Sequence, residues 1–193
     1  MTQNVARANS THGIHALSGT RADILDNVCE GNGFSGITVD LGAHATITNN
    51  LTQGNGLDGI TLSRNASATL TDNVIQDNGR HGINVSQNSS LTASNNIIAH
   101  NDEDGIQVSD ARATLTDNLI QHNGQPTSRF GIHVTTSSSA VLRHNTVTHS
   151  GLDGIRIQNT SEATISGGTS TQNGRDGIRV GGGTTRPGRS TAA

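Results

Sequence analysis

The chain has 193 residues, with 24 glycines, two prolines, a single cysteine, no Trp or Tyr, and a formal net charge of −3. With Phe34 and Phe130 as its only large aromatics, it lacks the side chains that fill an ordinary globular core, although a narrow, stacked core stays open to it. The charge and the missing aromatic platform exclude nucleic acid as a partner. The lack of any run of about 18 apolar residues argues against a membrane span, and a lone Cys29 excludes both an internal disulfide and a thiolate-rich metal site.

A period runs through the chain. Gly-Ile recurs at Gly13, Gly36, Gly59, Gly82, Gly105, Gly131, Gly154 and Gly177, in steps of 23, 23, 23, 23, 26, 23 and 23 residues. A fixed step of this size is the signature of a solenoid, so residues are read as columns through stacked coils. Residues 1–11 match the second half of a coil, because Asn4, Val5 and Asn9 lie one period before Asn27, Val28 and Asn32. That start predicts a fragment of a longer chain or an uncovered sheet edge. The opening Met-Thr-Gln-Asn-Val-Ala-Arg has no apolar stretch of a secretory signal.

Residues 12–180 form the repeat, and each coil reads as three short strands. The first alternates apolar and polar residues, as in Ile37 and Val39, Ile60 and Leu62, Ile83 and Val85, which makes one face buried. The second carries inward pairs such as Ala45 and Ile47, Ala68 and Leu70, Ala113 and Leu115. The third carries Val28, Leu51, Val74, Ile97 and Leu119 beside a second partly apolar column, and the pattern leaves open which of the two faces in.

Asparagines mark two corners: Asn4, Asn27, Asn50, Asn73, Asn96, Asn118 and Asn145 in one column, Asn9, Asn32, Asn55, Asn78, Asn101 and Asn123 in the other. Asn tolerates the left-handed conformation of a sharp bend, and stacked amides hydrogen-bond between rungs. The fold expected is all-β: a right-handed parallel β-helix of about seven 23-residue coils. A leucine-rich repeat shares the period but needs a Leu-x-x-Leu-x-Leu frame that is missing. One coil breaks the rule, losing a residue before Leu115 and gaining four around Gln125 to Ser128, and residues 181–193 read as a flexible tail.

Chemistry is sought on the outward columns of the first strand. One holds His15, Thr38, Thr61, Asn84, Gln107, His133, Arg156 and Arg179; the column before the glycine holds His12, Ser35, Asp58, His81, Asp104, Phe130, Asp153 and Asp176. Together they make a polar strip suited to an extended polymer, with Thr38, Asn84, Gln107, His133, Arg156 and Arg179 as the expected substrate contacts. His81, between Asp58 and Asp104, is expected to favour its charged form. Asp153 stacks on Asp176, which suits a cation such as calcium or neutralisation by Arg156 and Arg179. No other cofactor is indicated, and nothing sets the oligomeric state.

The runs Asn55-Gly56-Leu57-Asp58-Gly59-Ile60 and Asp77-Asn78-Gly79-Arg80-His81-Gly82-Ile83-Asn84-Val85 resemble coils of the catalytic modules of secreted mannuronan C5-epimerases. Those are right-handed β-helices acting on alginate, and the resemblance covers residues 4–180. The family's reacting rungs carry Tyr-Gly-Phe-Asp-Pro-His and, one coil later, an Asp closing a Gly-Phe-x-x-Asp strand. Gly36-Ile37-Thr38-Val39-Asp40 matches the second with Ile for Phe. The first falls on His12-Gly13-Ile14-His15-Ala16-Leu17, with His12 for Tyr, His15 for Asp, Ala16 for Pro and Leu17 for His.

The resemblance implies an acidic polysaccharide as partner, an extracellular or cell-surface location despite the missing signal, and C5-epimerase or lyase chemistry at Asp40, His15 and His12. A structural or adhesive solenoid without catalysis is the alternative. A third reading rests on the second strand, where Thr46 and Thr48, Thr69 and Thr71, Thr92 and Ser94, Thr114 and Thr116 form a hydroxyl array resembling the flat faces of ice-binding solenoids.

Overall fold

A computed structural model describes residues 1–125 and 127–181. Pro126 and all of the expected tail beyond Gly181 lie outside the described residues. Every regular element among them is a strand, and the strands form three parallel sheets. Sheet I has eight strands from Ile14–Ala16 to Ile178–Val180, sheet II seven from Arg21–Leu25 to Glu162–Ser166, and sheet III eight from Val5–Arg7 to Thr169–Thr171. Each strand pairs with its counterpart one coil away, so Ile37, Ile60, Ile83, Ile106 and Ile132 stand in one register. The expected parallel solenoid is the observed one. Its eight rungs in two sheets exceed the seven coils expected, because the partial coils at both ends contribute strands.

The core is a set of single-residue columns. Ile37, Ile60, Ile83, Ile106 and Ile132 are fully buried from sheet I, Ile47, Leu70 and Leu115 from sheet II. Sheet III settles the question the sequence left open. Cys29, Thr52, Ile75, Ile98, Ile120 and Val147 face in, while Val28, Leu51, Val74 and Leu119 are half-buried and Ile97 is exposed. Burial pushes the Cys29 thiol up to about 12, which makes it an inert small hydrophobe. Fully burying an Ile or Leu side chain contributes roughly 1.5–3 kcal/mol, and the columns repeat that gain rung by rung.

The glycine of each Gly-Ile pair is required by close approach. A Cβ on Gly59 would lie 2.7 Å from Gly82 O and 2.8 Å from Asn78 Nδ2, closer than real carbon atoms come. Glycine therefore lets sheet I pass directly over the asparagine column.

Those asparagines are the frame of the molecule. The Oδ1 of Asn73 accepts both the backbone N–H of Asn50 at 2.9 Å and its side-chain amide at 3.0 Å, and Asn96 Oδ1 does the same for Asn73. The Asn73 amide also donates to Ile47 O and Thr71 O. One ladder is unbroken from Asn4 to Asn145 and a second from Asn9 to Asn123. The bend itself lies one residue earlier than expected. Asp26, Asn49, Asp72 and Asn95 before the first ladder, and Gly31, Gly54, Asp77, His100, His122 and His149 before the second, have positive φ, whereas the ladder asparagines do not. The ladder residue keeps its side chain inside to serve the next rung, so its neighbour takes the left-handed conformation.

Replacing Asn73 by Ala strands the backbone N–H of Asn50 inside the protein and takes the amide donor from Ile47 O and Asn96 Oδ1. The expected loss is at least about 2 kcal/mol, from several buried groups left unpaired at 1–3 kcal/mol each. It should appear as a lower urea midpoint, whereas Asn49→Ala on the exposed bend should shift the midpoint far less.

Candidate functional site

Sheet I was expected to present an open polar strip, and the structure closes much of it. In the column before the glycine, Ser35, Asp58, His81, Asp104 and Asp153 are all at most 3% exposed. Thr38 and His133 are buried too, whereas Thr61, Asn84, Gln107 and Arg156 are half-buried and His15 and Arg179 exposed. The cause is a hydrogen-bond ladder between rungs. Asp58 Oδ1 accepts the His81 N–H, Asp104 Oδ1 the Phe130 N–H and Asp153 Oδ1 the Asp176 N–H, at 2.9–3.3 Å. Side chains that serve the next rung's backbone lie along the sheet rather than out from it. The second carboxylate oxygen then gathers neighbours: Asp58 Oδ2 accepts from Thr61 and Asn84.

The expected catalytic residues do come together at one end of this face. The rings of His12 and His15 are 4.7 Å apart, His15 Nε2 is 3.9 Å from Asp40 Oδ2, and His12 Nδ1 pairs with Thr38 Oγ1 at 2.9 Å. Phe34 packs edge-on against His12. Asp40, however, is engaged on every side. Its oxygens accept from Leu41 N, Ser63 Oγ and the forked guanidinium of Arg64. Burial raises its pKa, but the Arg64, Ser63 and Leu41 hydrogen bonds outweigh that and hold it below the ordinary carboxylate range. Such an Asp orients its neighbours; it is a poor proton acceptor. His12 is held below the usual histidine value by burial and by His15, so it is neutral at pH 7.

A second cluster sits in the middle of the face. Asp104, fully buried, accepts from His133 Nδ1 at 3.1 Å. Gln158 Oε1 accepts from Arg156 Nε, which turns the Gln158 amide nitrogen towards His133 Nε2 at 2.9 Å. The proton of His133 is therefore on Nδ1, and Nε2 carries the lone pair. Arg156 lies on the adjacent strand in register with His133, and its Nη1 is buried without a hydrogen bond, 3.7 Å from Asp153 Oδ2.

On the other side of Asp104, His81 Nδ1 accepts the Asp104 N–H, which leaves its Nε2–H facing Glu103 Oε2 at 3.2 Å. His81 was expected to be charged. Burial is the largest influence and lowers its pKa, against the pull of Asp104, Asp58 and Glu103. The inserted loop closes this cluster: Arg129 approaches Glu103 at 4.0 Å, and the Phe130 ring lies 4.7 Å from that of His133.

At the far end Asp153 is occupied by a residue the sequence reading missed. Arg175 Nε and Nη2 each donate to an Asp153 oxygen at 2.7 Å, and Arg179 pairs with Asp176 at 3.0 Å. Arginines thus take the oxygens where calcium was considered. On sheet II the threonine array faces outward in the expected register, Thr46 beside Thr69, Thr92 and Thr114. Arg64 and Arg175 escaped the column reading because their partners lie a rung away and one position to the side, whereas Glu103 and Arg129 share with Arg80 a column two residues before the glycine, outside the columns considered.

A profile of the family described as right handed beta helix region matches residues 1–139 and 111–186. Among solved structures, the periplasmic alginate epimerase AlgG superposes with a TM-score of 0.81 at 20% identity, over 92% of this chain and 48% of that one. The A-module of the mannuronan C-5 epimerase AlgE4 from Azotobacter vinelandii gives 0.70 at 20% identity, over 97% and 58%. The chain therefore spans about half the length of these proteins, and likeness at this identity speaks for the fold. No curated protein matches the chain.

The titrating groups predict acid unfolding in two windows. His12 and His81 have folded pKa values below the ordinary 6.5, so the unfolded chain binds their protons first, and the stability they contribute is lost as pH falls below 6.5. Asp40 and Asp153 are likewise lowered, from 3.8, and their contribution is lost only below that value. Urea midpoints should decline between about pH 7 and 5 and again below about pH 4. A midpoint flat down to about pH 4 would contradict the neutral, buried assignment of His81.

Proposed function

The chain belongs to the right-handed β-helix family, whose columns of side chains suit a linear polymer, and we propose that the face of sheet I recognises an acidic polysaccharide of the uronate type. The observation that carries this reading is a set of arginines around the edges of sheet I, held in place by carboxylates. Arg64 is fixed on Asp40, Arg80 and Arg129 flank Glu103, Arg175 is forked on Asp153, and Arg179 pairs with Asp176. Each guanidinium is about half exposed, with side-chain exposures of 42–55%. A guanidinium has five donors, so each keeps free N–H groups for a carboxylate on a polymer. The chain offers no row of aromatic faces on which a neutral polysaccharide would stack, since Phe130 packs on His133 and Phe34, beside His12, is the one exposed aromatic. The likeness to alginate and mannuronan epimerases supports the same class of ligand. A ligand of that class goes with work outside the cytoplasm.

Electrophoresis through gels containing polymannuronate tests the proposal. The protein should be retarded, less so at high salt, and an Arg129→Ala, Arg175→Ala double variant should bind about tenfold more weakly, as loss of two charge-assisted contacts implies. Equal retardation by a neutral glucan, or no effect of the double variant, would instead favour a scaffold.

A second reading, proton chemistry at C5, is favoured by the His133 network. Removal of the C5 proton of a uronate needs a base and a cation to hold the charge that moves onto the carboxylate. His133 Nε2 carries the lone pair, which the Gln158 amide covers until a substrate displaces it, Asp104 fixes the tautomer, and Arg156 Nη1 has no hydrogen-bond partner. Return of a proton to the opposite face inverts the centre, whereas departure of the C4 oxygen gives elimination. His12, His15 and Asp40 are the rival centre. In deuterated water, wild-type protein should place deuterium at C5 of polymannuronate, His133→Gln should stop it, and His15→Gln should leave it. The reverse dependence would move the chemistry to the His12 cluster, and no exchange in the wild type would end the catalytic reading while leaving binding to be judged by the gels.

A further inference from the structure

At the bend before the second asparagine ladder, between sheets III and I, three imidazoles stack on consecutive rungs. The rings of His100 and His122 are 5.0 Å apart and within 1° of parallel; those of His122 and His149 are 4.4 Å apart at 19°. All three residues have φ near 55°. That left-handed conformation is unfavourable for a residue with a Cβ by about 1–2 kcal/mol, and the same column uses Gly31 and Gly54 in earlier rungs. Backbone geometry therefore does not select histidine here. Packing does not either, since His100 is exposed and the other two are half-buried.

The nitrogens are chemically ready. The three rings stand on consecutive rungs with their nitrogens within reach of one another. His149 Nδ1 is buried and has no hydrogen-bond partner. Its carbonyl accepts from Gln125 of the inserted loop, which ties the column to the part of the chain that breaks the repeat.

We infer that His122 and His149, with His100 beside them, form a binding site for a borderline divalent transition-metal ion of the zinc, nickel or copper class. Three consecutive imidazoles, with Asp77 one rung below His100 as the one carboxylate of the column, make a nitrogen-rich donor set that suits such ions and not calcium or magnesium. Among the described residues no three ligating groups converge in the stacked arrangement. Metal–nitrogen bonds of about 2.0–2.1 Å put two nitrogens roughly 3 Å apart around one ion, so neighbouring rings must tilt together by about an ångström. The His122 and His149 planes already diverge, and rotation about their terminal side-chain torsions, which are broad and soft, supplies the rest. Water or His100 completes the coordination.

Copper(II) added to the full chain at about pH 7.5 tests this, read by electron paramagnetic resonance and by calorimetry. The wild type should bind one ion with nitrogen splitting from two imidazoles in the equatorial plane. His122→Gln should weaken binding at least about tenfold, as loss of one of two ligands implies, and reduce the nitrogen count. His15→Gln, which removes the other close imidazole pair at 4.7 Å, should change neither reading. Circular dichroism without metal checks that both variants fold, and His149→Gln serves as the alternative should His122→Gln fail that check. Binding that survives His122→Gln or is lost in His15→Gln, or a wild type that binds no ion, would overturn the assignment.

Discussion

The structure depends on one repeated contact, a side-chain oxygen of asparagine that takes both the backbone N–H and the amide of the asparagine one rung before. That contact fixes the register of the chain. From Asn4 to Asn145 and from Asn9 to Asn123 each rung must return to the same point, so residues are added or removed only between ladder positions. The irregular coil obeys this. Its missing residue falls at the bend holding Asp110, between sheets I and II, and its extra residues lie between Asn123 and Phe130, after one ladder has been served and before the next strand begins. Where the ladders stop, at Gly168 and Ser150, partners are lost as well: Ser150 Oγ is buried and unpaired.

The same rung-to-rung logic shapes the functional face. Asp58, Asp104 and Asp153 imitate the asparagines by accepting the next rung's backbone N–H, but each has a second oxygen to spend on a side chain. On sheet I that oxygen meets Thr61 and Asn84, then His133, then Arg175. A structural ladder thus becomes a device for orienting polar groups in the interior while charged tips stay at the rim. The inserted loop adds Arg129 and Phe130 beside the most elaborate of these clusters.

Much of this was legible in the sequence, and the limits have a physical origin. The 23-residue step and period-two alternation gave the sheets, the inward columns of sheets I and II and the two asparagine ladders, because each reflects one position repeated in every coil. Sheet III was ambiguous because both its columns are apolar, and only the path of the bends puts Ile75 rather than Val74 inside. Columns treat neighbours as directly above one another, so they missed Arg64 on Asp40, 24 residues apart, and Arg175 on Asp153, 22 apart; His15 near Asp40, 25 apart, came from the epimerase resemblance. Long side chains reach diagonally. Adding steps of 22 and 24 to the search would have paired both. The neutral state of His81 escaped for another reason: charge is visible in sequence, whereas the burial that outweighs it belongs to the packed rungs.

The central claim is that a uronate polymer lies along sheet I. Its most direct test is a heteronuclear NMR map of the labelled protein titrated with short mannuronate oligomers. The account predicts shifts that run along Asn84, Gln107, His133 and Arg156 and the rim arginines, with the threonine array of sheet II unmoved. Shifts confined to Thr46, Thr69 and Thr92, or none at all, would contradict it.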